Sequence, residues 1–205
     1  MTFRKAGSLG FFWLPLLKHL KAVIAHKGFV FQAGFRIGVP LWNLLVHDLS
    51  KLSPIEAAGY SRHFYGGKDP QAFLSAWHHH TRYNPHHPEY WVASFANKHL
   101  GIAVGDPLPM PEQYILEMVA DWMGASRSYE GHWPKGTRHW KWLEKNWRDL
   151  PLHPKTRLRV LDLLDDLYGD LEYVDGQPEL IFMLPDEARL NFNMFSTRIE
   201  GEVEV

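Results

Sequence analysis

The chain has no cysteine, and its 205 residues carry a net charge of only −1. The first absence excludes disulfides and zinc–thiolate sites and suits a reducing compartment, so a cytoplasmic location is expected. The second leaves no overall basic field to draw the protein to nucleic acid. Long apolar runs are missing too. The stretch Leu9-Gly10-Phe11-Phe12-Trp13-Leu14-Pro15-Leu16-Leu17 is broken by Lys18, His19 and Lys21. It is too short to span a bilayer and lacks a small-residue cleavage site, so no transmembrane segment is expected. Without thiolates, a metal must be held by His, Asp, Glu or neutral oxygens. That donor set suits a divalent ion such as Mn, Fe, Mg, Co, Ni or Zn.

What the chain has instead is 13 His, 9 Trp and 45% hydrophobic residues, enough for a full core. Apolar spacing is helical through most of it, and the fold class read from it is all-α. One helix is expected from Pro15 to about Gly38, with Leu17, Leu20, Val23 and Ile24 on its apolar side. A short helix with Leu41, Leu44 and Leu45 as its stripe ends near His47-Asp48. Ser53-Pro54-Ile55-Glu56 reads as a capping-box start for a helix to Phe64. Asp69-Pro70 starts another, which leads into His78-His79-His80 and stops before Pro85. A turn through Asn84-Pro85 precedes a further helix near Tyr90-Trp91. On the helix from Pro111 to Ser126, Gln113, Glu117 and Asp121 recur at four-residue spacing. Trp140, Leu143 and Trp147 share a face that covers the core. A last helix opens at His153-Pro154 and closes at Gly169. Residues 1–170 form the helical domain, and 171–205 form a small irregular or β appendage. In it, residues 180–184 and 195–199 could pair as strands.

The chemistry gathers around Val46-His47-Asp48-Leu49-Ser50-Lys51. Adjacent His and Asp can reach one ion only at an irregular helix end, where their side chains need not diverge. The candidate ligands then follow in order: His26, His47, Asp48, His80, His86, His87 and Asp121. His26, His47, Asp48 and Asp121 would supply four donors to one ion. With Asp48 as a bridge, His80 and one of His86 or His87 would hold a second. A run of His80, Asn84 and His87 along one helix face is conceivable if the helix passes Tyr83. His78 and His79 are not ligands, since three consecutive side chains cannot face one point. Lys51 could hold a phosphate oxygen or pair with Glu56. Glu117 either accepts from a ligand histidine or is an exposed charge, and it joins Lys51 and Asp48 as a catalytic candidate. Arg82 and Arg127, with Lys51, are candidates for substrate charge.

Several segments carry a resemblance. They are His26-Lys27, His47-Asp48-Leu49-Ser50-Lys51, Ala76-Trp77 with His80, Asn84-Pro85-His86-His87 with Tyr90-Trp91, and Met110-Pro111 with Glu117-Met118-Val119-Ala120-Asp121-Trp122. Together with Thr156-Arg157 they resemble a functionally uncharacterised family of short bacterial and phage proteins that is HD-like. The HD-domain superfamily implies an all-α metal-binding core that hydrolyses phosphate esters of nucleotides. Some of its members use a di-iron pair to oxygenate small molecules. Ser50 departs from the glycine that many hydrolases carry there. The expectation is therefore a metal-dependent phosphohydrolase acting on a small phosphate substrate. The rivals are a di-iron oxygenase and a non-catalytic protein with a structural metal.

Overall fold

The computed structural model describes residues 9–180 except 175. Its α-helices are α1 (Leu9–Ile37), α2 (Leu41–Val46), α3 (Pro54–Tyr60), α4 (Pro70–Tyr83), α5 (Glu112–Tyr129), α6 (Lys141–Asn146) and α7 (Pro154–Tyr168). A short antiparallel pair follows, β1 (Glu172–Val174) and β2 (Gln177–Glu179), so the fold is all-α with a small C-terminal sheet. That pair lies ahead of the strands expected over 180–184 and 195–199, which apart from Leu180 fall outside the described residues. No described helix is long and apolar enough to cross a membrane.

Local sequence sets the helix ends. Ser53 and Asp69 accept from the backbone N–H of Glu56 (3.3 Å) and Ala72 (3.0 Å), with Pro54 and Pro70 in the first helical turn. Asn84 is extended (φ −121°), as the residue before a proline must tend to be, and α4 stops there. Gly169 closes α7 in the left-handed region (φ 61°). Two elements are shorter than expected. Beyond Tyr60 the chain makes a π turn, Ser61–Tyr65, and the helix expected near Tyr90 is a single 3₁₀ turn, Pro88–Trp91.

α5 is the central element, packed against α1 on one side and the Trp-rich segment on the other. A Cβ on Gly124 would stand 2.6 Å from Val30 Cγ2 and 2.9 Å from its backbone N, so only glycine permits this crossing of α1 and α5. Behind α5, Met118, Val119 and Trp122 meet Trp140, Leu143, Trp147, Val160 and Leu164 in the main core. The face expected of Trp140, Leu143 and Trp147 is thus buried, although α6 itself has six residues. Trp140 Nε1 donates to Ser126 Oγ (2.7 Å), and Arg157 donates to the carbonyls of Trp147 and Leu150 while lying over the Trp147 ring.

The buried sides of α1 and α2 differ from expectation. Leu17 and Ile24 are 59% and 71% exposed, and the inward stripe of α1 is His19, Val23, His26, Val30 and Ala33. Of Leu41, Leu44 and Leu45, Leu44 alone is buried. Both faces of these helices are apolar, so periodicity does not choose between them. The choice falls to the histidines, with His26 turned inward to Asp48 and Asp121 and His19 to the Lys51 carbonyl.

Candidate metal centre

The centre starts from a turn. α2 ends at Val46, His47 leaves it extended (φ −45°, ψ 124°), and Asp48 is left-handed (φ 57°, ψ 18°). A non-glycine residue in that region is uncommon and is held there by its surroundings. Lys27 supplies part of the hold. Its Nζ donates to the carbonyls of Leu44, Leu45 and His47 at 3.2, 2.9 and 2.7 Å, capping the carbonyls that α2 leaves open. The consequence is that adjacent side chains converge, with His47 Nε2 3.3 Å from Asp48 Oδ2.

Two groups of donors, each with three buried residues and one half-buried, meet at Asp48, and their ligand atoms lie within 4.8 Å of one another. The first is His26, His47, Asp48 and Asp121. His26 Nε2 lies 3.4 Å from Asp48 Oδ2 and 2.8 Å from Asp121 Oδ1, and His47 Nε2 lies 3.4 Å from Asp121 Oδ1. The second is Asp48, His80, His86 and His87. Here the other oxygen, Oδ1, is 3.4 Å from His80 Nε2 and 3.5 Å from His86 Nε2, while His80 and His87 bring their Nε2 atoms to 2.9 Å. Asp48 therefore turns one oxygen to each group. Donors 2.0–2.2 Å from an ion at the centre of a tetrahedron stand about 3.3–3.6 Å apart, which matches most of these spacings. His47 Nε2, Asp48 Oδ1 and His86 Nε2 are also buried without a hydrogen-bond partner. Buried polar atoms seldom stay unpaired, so convergent orphans of this chemistry fit a metal.

All seven candidate ligands thus come together, and both His86 and His87 are at the centre rather than one of them. They do not extend the helix of His80. Pro85 ends it, and a turn closed by His87 N–H to Asn84 O (3.0 Å) swings both rings in. His78 is exposed, and His79 turns its Nδ1 to Glu56.

Two carboxylates orient the rings from behind. Glu117 faces His47 Nδ1 (2.9 Å) and His86 Nδ1 (3.2 Å), and its other oxygen accepts from Asn43 Nδ2 (2.9 Å). Glu56, fully buried, faces His80 Nδ1 (2.8 Å) and His79 Nδ1 (2.6 Å). Such partners fix which ring nitrogen is left for a metal. Glu117 belongs to this bracing layer, behind the rings. Glu56 neither reaches back to close a capping box nor pairs with Lys51, which bonds Asp48 Oδ2 at 2.5 Å instead. Glu56 and Asn43 have no signal in the sequence as functional residues, and Lys27 enters it only as the neighbour of His26. The one clue is the third histidine, His79, which needs a buried acid as much as His80 does.

Burial penalises every charge here, and pairing overrides it at Asp48, Asp121, Glu117 and His47 but not at His87. His47, Lys51 and His26 hold the Asp48 carboxyl well below its usual range, and His26 with His47 does the same for Asp121. Glu117, buried but facing His47 and His86, is lowered to about 2. His47 is buried as well, and Asp48, Asp121 and Glu117 raise it well above an ordinary histidine. Burial beside His86 and His80 pushes His87 well down.

A cavity of about 600 Å³ opens beside the first group. His26 and Lys51 lie on its wall with His19, Ala22, Val23, Tyr60, Phe64, Tyr65, Phe73, Trp77 and Tyr129. Arg82 is exposed and is not on this wall. Arg127 is also off it, donating to the Gly131 carbonyl and lying 5.3 Å from the Phe29 ring centroid. The cavity and the turn that carries the donors meet at Lys51 alone, apart from His26. Compared with known proteins, residues 16–166 match the model of one family, a family of unknown function. No curated protein and no solved structure matches the chain.

Proposed function

The chain belongs to the family of unknown function DUF5662, and we propose, from the centre itself, that it is a metal-dependent phosphohydrolase acting on small phosphate esters. The observation that carries this reading is Asp48, which offers one oxygen to each donor group. The two groups are arranged for one or two divalent ions. Bound there, the metal would polarise a phosphoryl oxygen and lower the pKa of a water. The protein supplies the rest. Lys51, raised above an ordinary lysine by Asp48 against the cost of burial, stays cationic where the cavity meets the donors. Its charge suits a phosphate oxygen. Glu117 and Glu56 keep the rings in register, and the cavity receives the organic part of the ester.

The test is metal analysis of the purified protein followed by a phosphate-ester screen. Asp48→Ala removes the oxygen common to both groups, so metal content and turnover should be lost together. Hydrolysis that survives in a metal-free Asp48→Ala protein sinks the proposal. Iron absorbance with oxygen consumption, and no hydrolysis under anaerobic Mn²⁺, would give the centre to oxygenation instead.

A further inference from the structure

The cavity has chemistry of its own that hydrolysis does not require. Its wall is aromatic, with Tyr60 from α3, Phe64 from the π turn, and Phe73 and Trp77 from α4. Phe73 and Trp77, one helical turn apart, hold their ring planes within 10° of each other at a centroid distance of 6.3 Å. Parallel rings along a wall are a surface on which a flat group stacks. The cationic side is sparse. Lys51 is the single lysine or arginine among the described residues of the wall, and it already serves Asp48. Sites for polyphosphates use several cations or bidentate arginines, because each added phosphoryl group brings about one more negative charge. A volume of about 600 Å³ holds one ring system and one phosphate.

We propose that the substrate is a monophosphate ester whose leaving group carries a flat aromatic ring, bound with the ring against the parallel Phe73 and Trp77, with Phe64 edge-on to Phe73 (85°), and the phosphate at Lys51. This rests on the phosphohydrolase reading for turnover, but the pocket's preference stands apart from it. In the reaction water forms a new P–O bond, the ester P–O bond breaks, and the aromatic alcohol leaves with a proton, giving inorganic phosphate.

Calorimetric titration with phenylphosphonate and methylphosphonate, in the presence of Mn²⁺, tests the preference without turnover. These probes share their charge and differ in the ring. Phenylphosphonate should bind at least about tenfold more tightly, and the gap should shrink by about fivefold or more, toward equal binding, in Phe64→Ala and Phe73→Ala. Phe64 is 59% exposed, so that variant should fold even if Phe73→Ala does not. Equal binding of the two probes, or a gap unchanged in Phe64→Ala, overturns the proposal. So does tighter binding of a nucleoside triphosphate than of the matching monophosphate. A ring preference with no hydrolysis of any ester would leave the pocket standing and remove the phosphohydrolase reading. Among substrates, phenyl phosphate or a nucleoside 5′-monophosphate should exceed glycerol phosphate in kcat/KM, and the better of the two says whether the ring is a simple aryl group or a base. Glycerol phosphate turned over as well as either overturns the assignment.

Discussion

α5 separates two interiors built on opposite principles. Toward α6 and α7 lies an apolar core of Trp140, Leu143, Trp147, Val160 and Leu164. Toward α1, α2 and α4, beside a smaller apolar cluster of Val30, Ala33, Val39, Leu44 and Ala120, lies a polar interior where His26, His47, Asp48, Glu56, His80, His86 and Glu117 are all buried. The first gains stability simply by excluding water. The second pays desolvation for each ion and recovers it only through pairing or a bound cation. One half therefore holds the fold irrespective of ligand, and the other has the donors that a bound cation would complete. Glu117 and Asp121 on one side of α5, and Met118, Val119 and Trp122 on the other, let a single helix serve both.

The strongest test of this contrast removes a piece of the apolar half. Trp140→Ala should cost about 3–5 kcal/mol, read by denaturant unfolding, and the loss should be the same with or without metal. A loss that metal restores would erase the distinction between the halves. Next is Gly59→Ala, whose Cβ would meet Ala72 O at 2.5 Å and Ala76 Cβ at 2.6 Å. Forcing α3 from α4 should cost about 1–3 kcal/mol and draw Glu56 away from His80, so stability and metal affinity should drop together. An affinity unchanged by calorimetry would mean that Glu56 does not set the ring of His80. Smaller again is Glu117→Gln, which keeps the shape but not the charge behind His47 and His86. It should weaken metal binding about 10- to 100-fold while the α7 amides keep their hydrogen-exchange protection.

The smallest effect is a slope with pH. In the metal-free protein His47 and His26 are raised, burial notwithstanding, by Asp48, Asp121 and, at His47, Glu117. A metal needs both rings neutral, so its binding must release their protons. Affinity should therefore climb as pH rises through the raised His values and fall as pH drops below them. The ion pairs among these groups run the other way, being complete while the histidines are protonated and lost as pH rises. Titrations at several pH values in buffers of different ionisation enthalpy would count the protons released, and a flat affinity would contradict the donor assignment.

Much of the donor set was legible because the chemistry is carried by residue types that seldom bury without reason. His47 next to Asp48 at a helix end, followed by Lys51, was enough to orient the reading, and Asp121 on an apolar helix pointed inward. Which side of α1 faces the core was not legible, since Leu17 and Ile24 are as apolar as Val23 and Val30. The bracing layer was illegible for a different reason. Lys27, Asn43 and Glu56 act on residues 20, 74 and 24 positions away, and no local pattern records such a contact. Arg127 shows the same limit from the other side, since a charge in a sequence does not say which carbonyl or ring will engage it.

The bond between Asn43 and Glu117, with its neighbour between His47 and Glu117, spans 74 and 70 positions. A ribosome makes the chain from its amino end at about 5–20 residues per second, so the His-Asp turn emerges about 4–14 s before the helix that braces it. During that interval α1 and α2 carry their histidines and carboxylate without α5 to cover them. The binding centre is thus a product of late chain closure, and metal uptake by a nascent chain would report the arrival of α5.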